Sequence, residues 1–151
     1  MRKMPWLGLG FASLLVCAAA ITSQRLIKNT QSAEDAAVHS VAASMCVELA
    51  ERGTKALPAQ GYAREWHILS GEQYDAVMAF LIKNRAHLDA CALDEKTGNF
   101  IDYWGNEFVV AGKALSNGEL LFAICSKGRD GIFATQDDIC AGDWEDVRRE
   151  I

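Results

Sequence analysis

The stretch Ser126-Lys127-Gly128-Arg129-Asp130-Gly131-Ile132-Phe133-Ala134-Thr135-Gln136-Asp137-Asp138-Ile139, running on to Gly142-Asp143-Trp144, is too polar and too broken by glycine for a packed helix or strand. Asp130, Asp137 and Asp138, the Thr135 hydroxyl and two glycines suit a loop wrapped around a hard cation. Calcium takes about six to eight oxygens, drawn from carboxylates, backbone carbonyls and hydroxyls. Glycine at 128 and 131 admits positive φ, which lets the chain turn its carbonyls inward. A polar surface turn uses the same residue types, but adjacent Asp137 and Asp138 repel, and a turn has no use for a third carboxylate seven positions upstream. Lys127 and Arg129 are the metal-free source of charge relief. The spacing differs from the EF-hand loop with its closing Glu.

Working back from the loop, Glu107–Ala111 and Leu120–Cys125 are short β-prone runs joined through Ser116-Asn117-Gly118, and Asn-Gly between such runs predicts a hairpin. The loop follows the second strand directly. Trp66-His67-Ile68-Leu69 reads as a short strand or a loop, with Pro58 and Gly61 in the linker before it. Ser70 with Gln73 predicts a helix start, and Tyr74, Val77, Met78, Leu81 and Leu88 form its buried side up to an end near Asp89. Residues 25–52 predict an earlier helix. Val38, Val41, Ala42, Met45 and Leu49 make its apolar stripe, Glu34, His39, Glu48 and Glu51 lie largely off it, Ser32 with Asp35 resembles a capping box while Leu26 and Ile27 leave continuity with the upstream segment open, and Gly53 and Pro58 end it. The segment after Trp144, Glu145 to Ile151, is too mixed in charge to read and leaves room for a short terminal helix.

The amino terminus supplies an address. After Arg2 and Lys3, residues 4–24 carry no charge and include Trp6, Leu7, Leu9, Phe11, Leu14, Leu15, Val16 and Ile21. About 20 helical residues cross a bilayer core, and a basic flank stays in the cytoplasm. The segment reads as a membrane anchor over 1–24 or as a cleaved secretory signal with Ala18-Ala19-Ala20 at the cut. Either way residues 25–151 form an extracytoplasmic domain. Cys17 reads as a membrane-embedded thiol.

Cys46, Cys91, Cys125 and Cys140 form an even set in a compartment that tolerates disulfides, and four cysteines allow three pairings. A Cys125–Cys140 bond would close the acidic loop, and Cys46 with Cys91 would then tie two helices together. No C-x-x-C pair supports zinc.

The whole chain, 151 residues, has a net charge of −5. Only Arg2 and Lys3 are charged before residue 25, so the remainder is more acidic still, which excludes nucleic acid as a partner. His39, His67 and His87 sit in no nucleophile or metal motif. An enzyme is therefore not expected, because one visible role does not make a catalytic site. Trp66 and Trp104 read as core or sheet-capping aromatics.

An amino-terminal helix beginning in the membrane, a helical middle, a small antiparallel sheet and a terminal calcium loop together resemble the major pseudopilin of type II secretion systems. Asp102-Tyr103-Trp104-Gly105-Asn106-Glu107-Phe108 is similar to the family's Asp-Pro-Trp-Gly segment leading into the first strand, and Ser126-x-Gly-x-Asp130-Gly131, Asp137-Asp138-Ile139 and Gly142-x-Trp144 to its calcium loop and ending. The specific motifs cover about residues 100–144. The resemblance implies an α+β, pilin-like fold in which a long amino-terminal helix, anchor plus spine, packs on a small antiparallel sheet. It implies calcium held by the side chains of Asp130, Asp137, Asp138 and Thr135 and by the carbonyls of Lys127 and Ile132. It also implies a single-pass inner-membrane protein with its carboxyl-terminal domain in the periplasm, whose partners are other pseudopilin-like subunits or secretion-apparatus components. Gly10-Phe11 corresponds to the family's cleavage dipeptide, but Leu15 stands where the family carries Glu, and Tyr103 replaces its Pro. The alternative expectation is a membrane-tethered calcium-binding module that does not enter a filament.

Overall fold

The β-prone run upstream of the acidic loop and the run that leads into it are the two central strands of a four-stranded antiparallel sheet. The computed structural model describes residues 28, 30–85 and 92–151. The anchor segment 1–24, with Gly10-Phe11 and Cys17 in it, and His87, Leu88, Asp89 and Cys91 lie outside the described residues. Among those that are described, no helix is long and apolar enough to cross a membrane. Residues 28 and 30–35 are helical and belong to an amino-terminal unit, Met1–Asp35, while Ala36–Ile151 form a second compact unit.

That second unit opens with helix α1, residues 36–48, prolonged by a π-helical turn, Leu49–Gly53, and by Thr54–Ala56. Then come β1 (His67–Ile68), α2 (Gly71–Lys83), β2 (Ala92–Leu93), β3 (Phe100–Ile101), β4 (Val109–Ala114), β5 (Leu120–Ser126), β6 (Ile139–Ala141) and α3 (Trp144–Glu150). The sheet order is β1-β4-β5-β6, and β2 with β3 forms a separate ribbon. The β4–β5 register runs from Val109↔Cys125 to Ala114↔Leu120. At its far end Gly118, at φ 84°, closes the turn, and the Asn117 side-chain oxygen accepts the Glu119 amide at 3.0 Å. The Asn-Gly hairpin is thus formed, with β4 shifted towards the turn relative to the expected 107–111.

Alternation along β4 and β5 explains the layers, because successive side chains leave a strand on opposite faces. Val110, Leu120, Phe122 and Ile124 pack with Val38, Ala42, Met45 and Leu49 of α1 and with Val77, Met78 and Leu81 of α2. Ala111, Ala123 and Cys125 face the other way, where Trp66, Trp144 and Val147 cover them. The unit is therefore α+β, with two helices on one face of the sheet and the short α3 on the other. Sequence alone leaves that terminal helix unread because its apolar content is just Trp144 and Val147, both buried.

Five local expectations are corrected. Residues 30 and 31 are already helical, so Ser32 does not start a helix. Gly53 does not end α1: the π-turn absorbs it, and the chain leaves the helix at Leu57, whose extended backbone (φ −93°, ψ 134°) is what a residue before proline adopts. Glu48 is buried, at 6% exposure, beside the apolar stripe and 3.5 Å from Arg52. Finally, α2 stops at Lys83, not near Asp89, with Asn84 as its cap: both its amide (3.1 Å) and its side chain (2.8 Å) donate to the Phe80 carbonyl. The Ser70–Gln73 capping box does not form either; Gln73 instead reaches the Gly61 carbonyl at 2.6 Å and fastens the preceding linker.

Candidate metal centre

The loop between β5 and β6 rests on a buried carboxylate. Asp102, just after β3, is 6% exposed. Its Oδ1 accepts the amides of Trp104 (2.9 Å) and Asn106 (2.8 Å), and its Oδ2 accepts the Ser126 hydroxyl at 2.6 Å. Ser126 Oγ in turn accepts the Gly128 amide at 3.1 Å, and Asn106 Nδ2 donates to the Gly128 carbonyl at 2.9 Å. The Asp-x-Trp-Gly-Asn turn and the first turn of the acidic loop are thereby one hydrogen-bonded unit. Gly128 (φ 62°) and Gly131 (φ 69°) both adopt the left-handed backbone foreseen for them. A β-carbon at 131 would approach Asn106 Oδ1 to 2.9 Å, so the loop and the Asn106 turn are in close contact.

Beyond this base the acidic side chains fold back onto the loop's own amides. Asp137 Oδ2 accepts the amides of Arg129 (2.7 Å) and Asp130 (3.1 Å), joining the returning leg to the outgoing one. Asp130 Oδ1 accepts the Ile132 amide and Asp138 Oδ2 the Ala134 amide, each at 2.8 Å. Oxygens from four residues also converge on Thr135 Oγ1. Asp137 Oδ1 lies 2.6 Å from it, the Ile132 carbonyl 3.1 Å, and Asp130 Oδ1 and Asp138 Oδ1 3.4 Å each. A hydroxyl has one proton, so it satisfies one of these acceptors at a time.

The charges respond to this crowding. Hydrogen bonds from the Thr135 hydroxyl, and then from the Asp130 and Arg129 amides, hold the Asp137 carboxyl down at about 2. Desolvation, with the neighbouring Asp137 charge behind it, pushes Asp138 above the usual carboxylate range, against the pull of the Ala134 and Thr135 amides. Arg129 lies over the Trp104 ring, 5.3 Å from its centroid, which links the loop's cation to the upstream turn.

Of the six residues expected to supply ligands, the hydrogen bonds draw together Asp130, Ile132, Thr135, Asp137 and Asp138. Lys127 makes no hydrogen bond with them; it lies in the leg leaving β5. Among the described residues, no three His, Cys, Asp or Glu side chains form a metal-binding group by themselves. Convergence here runs through a hydroxyl and a carbonyl as well as carboxylates, and an all-oxygen set of that kind fits a hard cation such as calcium. Sequence reasoning misses Asp102 and Asn106 as the base of the loop. The signal was present in Asp102-x-Trp104-x-Asn106, whose aspartate serves the amides two and four residues on.

Cys125 and Cys140 flank the loop at disulfide distance, with 4.0 Å between α-carbons, as opposed residues of β5 and β6. Cys46 is a thiol on the opposite, helix-facing side of the sheet. No protein-family model, curated protein or solved structure matches this chain.

Proposed function

We propose that this chain is a pseudopilin-like, calcium-stabilised structural subunit of a type II secretion apparatus, anchored in the inner membrane by its amino-terminal segment, with its head in the periplasm. The observation that carries the reading is the convergence of Asp130, Asp137, Asp138 and the Ile132 carbonyl on Thr135 Oγ1, four acceptors around one proton. Calcium would supply the positive charge that a single hydroxyl proton lacks. Asp130, Asp137, Asp138, Thr135 and Ile132 would hold it, while Asp102, Ser126 and Asn106 keep the loop seated on the sheet. In the apparatus, such a head offers like subunits an ordered surface only when the loop is closed. A helix-backed antiparallel sheet with this loop between its last two strands is compatible with that role.

Thermal unfolding of the full chain in detergent, titrated with calcium, tests the reading. At free calcium about a hundred times Kd, binding adds about 2.7 kcal/mol, which raises Tm by roughly 5–10 °C for a chain of this size. Replacing Asp137 and Asp138 together by Ala should abolish the rise. A wild-type Tm indifferent to calcium overturns the proposal.

A second reading, a membrane-tethered calcium-binding module outside any filament, is favoured by Leu15 and by the apolar Trp6, Leu7 and Leu9 around the would-be processing site. The mass of the mature amino terminus separates the two. A chain beginning at Phe11 supports filament entry, and a chain uncut at Gly10 supports the tethered module.

A further inference from the structure

We infer that the Cys125–Cys140 disulfide is a redox clip on the metal loop, so that the chain acquires its full calcium affinity only after this bond has formed; the inference rests on the calcium reading above. Every group converging on Thr135 lies between the two cysteines, with Asp130 and Ile132 on the outgoing leg and Asp137 and Asp138 on the returning one. The returning leg enters β6, a three-residue edge strand paired, among the described residues, only with β5, through Ile124↔Ala141, Cys125↔Cys140 and Ser126↔Ile139. Repulsion among the three carboxylates pushes the two legs apart, and so short an edge ladder resists it weakly. A covalent bond at the central rung fixes the spacing of the legs at the mouth of the loop and removes the open-loop states that compete with binding. The rung stands one residue from Ser126, so the clip also keeps Ser126 Oγ on Asp102 Oδ2.

Access to the two sulfurs is unequal. Cys125 is fully buried with Trp66, Trp144 and Val147, whereas Cys140 is partly exposed. Formation therefore starts at Cys140, whose thiolate attacks an external disulfide such as oxidised glutathione and expels one glutathione thiolate. The Cys125 thiolate then attacks the mixed disulfide and expels the second. Two protein thiols are oxidised and one external disulfide is reduced to two thiols, which take up the two protons.

The test uses the full chain in detergent, oxidised or reduced with dithiothreitol, alongside the double variant Cys125→Ala with Cys140→Ala. Calcium Kd is read by titration calorimetry, and amide hydrogen exchange is followed in the calcium-free state. Reduction should weaken calcium binding at least tenfold and speed exchange at the Arg129, Asp130 and Ala134 amides while β4 and β5 stay protected. The double variant should bind like the reduced chain and ignore dithiothreitol. Equal Kd in the oxidised and reduced chains overturns the clip and leaves the calcium reading standing. Absence of binding in both forms overturns the two together. Loss of β4 and β5 protection on reduction also overturns the clip, because the bond would then be a staple of the whole fold.

Discussion

The Ser126 hydroxyl donates to the buried carboxylate of Asp102 across 24 positions of sequence, at 2.6 Å. That single contact joins the turn after β3 to the root of the acidic loop. Asp102 also serves the Trp104 and Asn106 amides, so its removal strands three donors at once. Each buried donor left without a partner costs about 1–3 kcal/mol, less whatever water repays. Asp102→Ala should therefore lower unfolding free energy by about 2–4 kcal/mol in urea titrations, without calcium present. Asp102→Asn, which keeps an oxygen for the two amides, should cost less than half as much. Equal losses would mean that size rather than hydrogen bonding matters at this position.

Two glycines with similar backbone angles should respond differently. Gly118, at φ 84° in the hairpin turn, has open space where a β-carbon would stand. Gly128, at φ 62°, would place that carbon on the carbonyl and carboxylate of Asp137. Gly118→Ala should cost about 1–2 kcal/mol, the left-handed penalty alone. Gly128→Ala adds overpacking of about 1–3 kcal/mol to that penalty. It should also weaken calcium binding, which Gly118→Ala should not. Matching stability losses and unaltered calcium affinity in both variants would remove Gly128 from the site.

Much of this arrangement is legible in the chain because its causes are local. The Asn117-Gly118 turn, the alternation through β4 and β5, and the stripe from Val38 to Leu49 each follow from a period or a turn rule within a short window. The same holds for the glycines at 128 and 131. What stays hidden depends on distant partners. Asp102 looks like one more turn aspartate until β5 brings Ser126 to it. Gln73 reads as half of a capping box until the linker offers the Gly61 carbonyl. Glu48 reads as lying off the apolar stripe until the packing of α1 on the sheet buries it. The four groups gathered at Thr135 were recognisable by type, but their closeness depends on Asp137 bonding across the loop to Arg129 and Asp130.

Ala134 stands out as the non-glycine residue with positive φ among those described, at 69°. Its amide is held by Asp138 Oδ2, so the loop keeps this backbone despite the β-carbon. Left-handed backbone costs a β-carbon-bearing residue about 1–2 kcal/mol, and the extra freedom of glycine in the unfolded chain returns part of that. Ala134→Gly should stabilise the calcium-free chain by up to about 1 kcal/mol, read as a higher urea midpoint with an unchanged slope. A destabilised variant would show that the alanine methyl makes a packing contribution larger than the backbone penalty.

Cys46 gives a pH dependence that is separate from the loop. Burial pushes its thiol from 9.0 up to about 11; the Asp143 charge adds to the rise, and a hydrogen bond with the Ile124 backbone works against it. The folded chain therefore favours the protonated thiol. Its contribution to stability is fully present below pH 9 and is lost as pH rises through 11. The shift corresponds to about 2–3 kcal/mol at the alkaline limit. Tyr62 and Tyr74 are also raised by burial and add to the alkaline slope, so the measurement is the difference between wild type and Cys46→Ala. That difference in unfolding free energy should change between pH 9 and 11 and stay flat from pH 6 to 8. Alkylation gives an independent readout, because the thiolate is the reactive form. At pH 8 the peptide carrying Cys46 should label about a hundredfold more slowly in the folded chain than after denaturation. Labelling at equal rates in the two states would place this thiol in water rather than against the sheet.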